Sequence, residues 1–213
     1  MIKKSRKSDP LKTYHHGDLR RVLLDAALKL VGTQGVQGFT LREAARVAEV
    51  SHNAPYRHFD TRTQLLVALA IEGQQLLLKS LQVALQGISN RRARLMALGT
   101  AYLEFGCSHA AHFRVMYSGE VAANPTEELG TAQSATYEFF EQEIRSGEEE
   151  GVFRSGRTTD YALVGWAAIH GATILLLDGL LQGTTVYGDH TPADLARLVI
   201  ESLFDGMLKQ KKN

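Results

Sequence analysis

Residues 40–59 read TLREAARVAEVSHNAPYRHF, and the fold class follows from the spacing within them. Leu41, Ala44, Ala45 and Ala48 recur at i, i+3, i+4 and i+7, the period of one helix face. Thr40 and Glu43 stand as a T-x-x-E capping box, each able to close a free donor at the helix start. Glu49 and Val50 fall in a turn, and Ser51 is placed to cap a second helix running through Tyr56 and Arg57 to Phe59. That second helix is expected to show His52, Asn53, Ala54, Tyr56, Arg57 and His58 outward, with Pro55 among them. Hydrogen-bonding and small groups on a short exposed helix suit the major groove of DNA. The spacing predicts a helix-turn-helix; an ordinary helical hairpin in a bundle has the same two-helix outline.

The charge distribution separates those readings. The chain carries 24 Lys and Arg against 23 Asp and Glu, yet residues 1–62 hold 12 against 6, and residues 63–213 hold 12 against 17. A head of +6 on a body of −5 points to a polyanion partner for the head. Lys3, Lys4, Arg6, Lys7 and Lys12 are expected to form a basic arm over residues 1–14, attracted to phosphate whatever its sequence. The head then spans 15–62 and the body 63–213.

The rest of the chain reads as helix almost throughout, an all-α fold of about nine helices with no period-2 strand. Leu19, Val22, Leu23, Ala26, Ala27, Leu30 and Val31 form an apolar stripe ending near Gly32 and Gly35, the third helix of the head. Thr61 and Gln64 suggest a cap for a long helix reaching about Gln86. Helices are expected over roughly 91–107 and 109–118, then from Asn124-Pro125 to Glu150. Two more cover about 159–182 and from Thr191-Pro192 to about Leu208. The single cysteine, Cys107, leaves no internal disulfide and fits a reducing cytoplasm. The apolar run Ala162–Leu177 spans 16 residues, short of the ~20 that cross a membrane, and no apolar run follows the basic start. A soluble cytoplasmic protein without a membrane partner is expected.

These residues carry a resemblance. The run TLREAARVAEVSHNAPYRHFDTRTQLL, with the flanks from Tyr14 to about Leu69, resembles the TetR/AcrR family of bacterial transcriptional regulators. The YHHG run at 14–17, with Trp166 and His170-Gly171, is similar to a subgroup whose ligand domain carries a WHG motif. The resemblance implies a ligand-responsive repressor that binds a palindromic operator as a homodimer and is released by a small-molecule inducer. By the family pattern Thr40 and Tyr56 contact phosphate, and Arg62 takes the place of a lysine opening the fourth helix. Arg42, Ser51, His52, Asn53, Ala54, Arg57 and His58 complete the expected DNA face. Two positions depart from the pattern. Glu49 stands where glycine is usual, and a left-handed backbone there would cost on the order of 1 kcal/mol. Pro55 forfeits one regular hydrogen bond near the helix edge, through which the helix is expected to continue.

Pockets are mostly apolar with a few polar groups, which makes Tyr102, Phe105, His109, Phe113, Tyr117 and Tyr137 candidate ligand lining, and the subgroup resemblance implies Trp166 and His170 as well. Helix 159–182 is apolar nearly all round, with Val164, Ala168, Gly171 and Leu175 on one side and Leu163, Ala167, Ile174 and Leu177 on another. With Leu195, Leu198, Val199, Ser202, Leu203 and Gly206 of the last helix it is the expected dimer interface; a wholly internal core is the alternative. Cys107, His109 and His112 invite a metal or nucleophile reading, but no fourth ligand lies near them in sequence. Cys107 and His109 also diverge by about 200° on a helix. With no G-x-S-x-G, Walker or dinucleotide fingerprint, no enzyme and no cofactor is expected. A DNA-bound scaffold governed by a protein partner is the remaining rival.

Overall fold

The chain divides into two compact units, one ending at Arg62 and the other beginning at Thr63. The computed structural model describes residues 19–181 and 190–207, and the regular elements among them are all helices. The basic arm and the 14–17 run lie outside the described residues.

In the first unit α1 (Leu19–Gln34) buries Leu23, Leu24, Ala26, Ala27, Leu30 and Val31. It stops at Gly35, whose φ of 79° admits glycine readily and whose N–H donates to the Val31 carbonyl at 3.0 Å. Helix α2 (Leu41–Val47) opens on the capping box: the Glu43 N–H donates to the Thr40 hydroxyl at 3.2 Å, and the Thr40 N–H donates to the Glu43 carboxylate at 2.8 Å. It buries Leu41, Ala44 and Ala45. Its end is a Schellman turn, in which the Val50 N–H reaches the Ala45 carbonyl at 3.0 Å and the Glu49 N–H reaches that of Arg46 at 3.2 Å. The turn holds Glu49 at a φ of 55°, so a side chain occupies the left-handed position that favours glycine.

The second half of the motif differs from the expectation. No α-helix runs from Ser51 to Phe59; turns lead into a single 3-10 turn, Pro55–Arg57, and the residue at its cap position is Ala54 rather than Ser51. Proline explains this. Pro55 has no N–H to offer the Ser51 carbonyl, which instead accepts from Ala54 at 2.9 Å, three residues on. The chain tightens before an α-helical ladder can start, and the Phe59 N–H then closes the segment onto the Pro55 carbonyl at 2.9 Å.

The second unit is built from α3 (Arg62–Ala84), α4 (Arg91–Ser108), α5 (Ala110–Met116), α6 (Gly119–Ala122), α7 (Glu127–Glu149), α8 (Thr158–Leu177) and α9 (Pro192–Met207). Helix α7 starts one cap later than expected: the Thr126 hydroxyl accepts from the Leu129 N–H at 3.2 Å, and Asn124 instead ends the short α6, its side chain donating to the Glu120 carbonyl. Thr191 and Asp194 cap α9 reciprocally, the Asp194 N–H donating to the Thr191 hydroxyl at 3.2 Å.

Helix α4 is central, packing on α5, α8 and α9. Its glycines set how closely the neighbours come. A Cβ at Gly106 would collide with the Thr173 methyl, and one at Gly99 would sit 2.9 Å from Ile200 Cγ1. A part-buried charge clamp ties α4 to α7, with Arg94 donating twice to the buried Glu143 at 2.7 Å and Arg91 joining Glu143 and the exposed Glu150. Helix α8 stops at Leu177 rather than near 182, and its 20 residues could by length and composition alone cross a membrane. It packs on α4, α7 and α9, as a helix of this body does.

Candidate functional site

The first unit presents a polar face. Thr40, Arg42, Ser51, His52, Asn53, Tyr56, Arg57 and His58 are exposed, Ala54 is half-buried, and Pro55 turns inward with Phe59. The 3-10 turn buries Pro55 and leaves Tyr56 and Arg57 exposed. The Thr40 hydroxyl also donates to Glu43 at 3.0 Å, so it is oriented by the same box that starts α2. Arg62 is half-buried: its guanidinium donates to the Val36 carbonyl and lies 5.5 Å from the Phe39 ring centre. It fastens the loop before α2 as well as opening α3.

The second unit brings five of the eight expected lining residues into one knot. Tyr102 of α4 is 0% exposed and its hydroxyl is the hub. It donates to the Tyr117 hydroxyl at 2.9 Å, accepts from Trp166 Nε1 at 3.3 Å, and lies 2.9 Å from His170 Nδ1. A phenol has one proton and two lone pairs. That inventory can serve all three neighbours together, with His170 Nδ1 donating or accepting according to its tautomer. Burial holds the His170 pKa below the ordinary histidine value, which favours the neutral imidazole. Burial likewise raises Tyr102 and Tyr117, keeping both phenols protonated. Phe113 stacks on His170 with centroids 5.3 Å apart and meets Tyr102 edge-on at 5.7 Å. Phe140 of α7, absent from the expected lining, closes the knot 6.2 Å from Tyr102.

Beside the knot, α4, α7, α8 and α9 line a part-open cavity of about 260 Å³, with the exposed Val164 and Ser202 at its edge. Its wall includes Leu95, Leu98, Phe140, Ile144, Ile169 and Leu203, with Trp166 shared by cavity and knot. Of the eight expected lining residues only Trp166 borders it. Phe105 and His109 stack on each other at 4.7 Å and line a separate shallow groove with Lys79 and Val83. Tyr137 is half-buried on α7 and lines none of the described cavities. His112 pairs with Glu72 at 2.9 Å and Cys107 is exposed, its thiol pKa raised by burial and by Glu104, away from the thiolate a nucleophile needs. Among the described residues no group of three His, Cys, Asp or Glu could hold a metal ion.

The outer face of α8 is apolar and uncovered. Leu163, Ala167, Gly171 and Leu175 form an exposed i, i+4 stripe, with Leu163 and the adjacent Val164 each 52% exposed. On α9 Leu198 and Ser202 are exposed. Leu195 is 9% exposed, so it is largely covered within one subunit, whereas Leu203 is half-buried and, like Ser202, borders the cavity. Helix α9 has apolar residues on both its inner and outer sides, and the period alone does not separate them. Val199 is half-buried, and Gly206 falls in the last turn of α9.

A helix-turn-helix head carried on a larger all-helical body is the architecture of a DNA-binding transcriptional regulator. Residues 23–69 match the model of the bacterial regulatory proteins of the tetR family, residues 95–203 match the tetracyclin repressor-like C-terminal domain, and the chain belongs to the TetR family. It superposes on a protein of unknown function from Rhodococcus sp. RHA1 with a TM-score of 0.80 and 32% identity, over 93% of this chain and 100% of that one. It is 43% identical over 49 residues to the HTH-type transcriptional regulator BetI of Rhizobium meliloti (strain 1021), a match covering 23% of this chain and only 24% of that protein. It is 28% identical over 143 residues to the nucleoid occlusion factor SlmA of Marinobacter nauticus, covering 66% of this chain and 73% of that one.

Proposed function

We propose that the protein is a homodimeric repressor that binds a palindromic operator and is released from it by a small molecule. The observation that carries this reading is the apolar cavity beside the uncovered face of α8, because it puts a ligand-sized space next to the surface a second subunit would cover. In this account the uncovered stripe of α8 with Leu198 and Ser202 of α9 meets its twofold mate, as closed homodimers favour. Thr40 and Tyr56 hold phosphates, while His52, Asn53 and Arg57 face base edges. Two heads set roughly one helical turn of DNA apart, about 34–36 Å, read the two half-sites together. A ligand that prefers a body conformation with a different head spacing releases the DNA, and one with equal affinity for both states does nothing.

A second reading, a DNA-bound protein governed by a protein partner, draws on the similarity to a nucleoid occlusion factor. A closed body would favour it; the cavity favours the small-molecule sensor. Sedimentation of the Leu163→Glu, Leu198→Glu double variant at micromolar concentration tests the assembly. Monomers are expected, with DNA affinity lowered at least about tenfold because one head alone makes only half the contacts. A variant that remains dimeric would remove this face from the interface.

A further inference from the structure

We propose that the cavity bounded by α4, α7, α8 and α9 takes a small, uncharged and largely apolar molecule, and that Trp166 senses its presence. The inference rests on the effector-responsive reading above and names the chemistry of its ligand.

Size comes first. The part-open space of about 260 Å³ lies near the lower end of small-molecule pockets, which run from roughly 300 Å³ upward. The wall comes second. Leu95, Leu98, Phe140, Ile144, Ile169 and Leu203 present hydrocarbon. The indole N–H of Trp166 is committed to Tyr102, so the knot offers an entering molecule no spare donor. The Tyr161 hydroxyl is buried without a protein hydrogen-bond partner among the described residues, so any reward for ligand polarity from that residue is a single hydrogen bond.

Charge comes third. Arg157 is the cation of the lining, and it is already bound to Asp160, with Nε 3.0 Å and the terminal nitrogen 2.9 Å from Oδ2. Both side chains stand more than half exposed, so they form a neutral, hydrated pair. A carboxylate or phosphate entering this space would shed its water and meet no free cation, which is costly. An uncharged molecule avoids that loss and gains burial against the apolar and aromatic side chains of the wall.

Trp166 links the occupied cavity to the rest of the body, since its ring borders the space while its nitrogen bonds the hub that joins α4, Tyr117 and α8. It is also the single tryptophan of the chain, so its emission reads this place alone.

The experiment titrates full-length protein with n-butylbenzene and with phenylacetate, two probes with the same number of non-hydrogen atoms, following Trp166 emission. Butylbenzene is expected to give a saturable change and phenylacetate to bind at least about tenfold more weakly. The Gly165→Leu variant provides the control on location. Gly165 lines the cavity, a Cβ there meets nothing within 4 Å, and leucine favours the helix over glycine. It is expected to weaken butylbenzene at least about tenfold with unchanged helicity. No saturable change in the wild type, phenylacetate binding equally well, or an unaltered affinity in Gly165→Leu would each overturn the inference. DNA binding, measured on the same samples, keeps the two claims apart. Its absence would sink the regulator reading, whereas a failed titration with DNA binding intact would sink the ligand chemistry alone.

Discussion

Replacing Tyr102 by phenylalanine removes one oxygen and leaves the ring, so it isolates the hub of the body. Three contacts disappear together: the donation to Tyr117 at 2.9 Å, the acceptance from Trp166 at 3.3 Å and the contact with His170 at 2.9 Å. Each neutral hydrogen bond contributes about 0.5–1.5 kcal/mol net, and more where the abandoned partner stays dry. Tyr117, Trp166 and His170 are only half-buried, so water can reach part of what is left unpaired. A loss of about 2–3 kcal/mol is expected, which in a chain of this length lowers the melting temperature by roughly 5–10 °C. Urea unfolding followed by Trp166 emission and by far-ultraviolet circular dichroism measures it, with coincident curves confirming a single transition. Tyr117→Phe removes one acceptor and is expected to cost about 1 kcal/mol; the double variant should fall short of the sum by about that amount, since both changes delete the same bond. A Tyr102→Phe protein within about 0.5 kcal/mol of wild type would refute the hub, because the hydroxyl would then be no better placed than in water.

Two further outcomes concern the head. Glu49→Gly relieves a left-handed side chain worth about 1–2 kcal/mol and returns part of that as unfolded-state entropy, so a net gain of about 0.5–1 kcal/mol in urea unfolding is expected. Destabilisation by this change would mean that Glu49 makes a contact outweighing its backbone strain. In binding-site selection Asn53→Ala and Arg57→Ala should alter the preferred bases by about 1–3 kcal/mol per lost bidentate contact, whereas Thr40→Ala and Tyr56→Phe weaken all sequences alike. An unchanged motif with the first pair would take the base-reading role away from the 3-10 turn.

How far the sequence reaches depends on the range of the interaction being read. The starts of α2 and α9 are visible because Thr40 with Glu43 and Thr191 with Asp194 act over three residues and need nothing from elsewhere. The start of α7 is misplaced by the same logic, since Asn124 and Thr126 are both cap-forming residue types, and the Asn124 side chain is engaged with the Glu120 carbonyl of α6 while Thr126 caps α7. Pro55 is legible as an anomaly, but its full effect is not local: the lost donor falls where the ladder must nucleate, and a short segment cannot recover from that. The left-handed Glu49 was legible as a conditional statement that the φ of 55° resolves. In the body, Trp166 and His170 could be singled out only through the family resemblance. Leu95, Leu98, Ile144 and Ile200 carried no signal, because a helical period shows which face is buried and not whether the facing space is filled. Leu195 shows the same limit from the other side, an apolar period being equally compatible with its own core and with a partner.

The account stands most directly on whether occupancy of the body governs occupancy of the DNA. Fluorescence anisotropy of labelled operator, recovered by selection with the wild-type protein, should fall when the low-molecular-mass fraction of host-cell extract is added. Gly165→Leu should bind the same operator with unaltered affinity and remain bound at concentrations that release the wild type, because its side chain occupies the ligand space. Release of both proteins at the same concentration, or release of the wild type by the protein fraction alone, would contradict it.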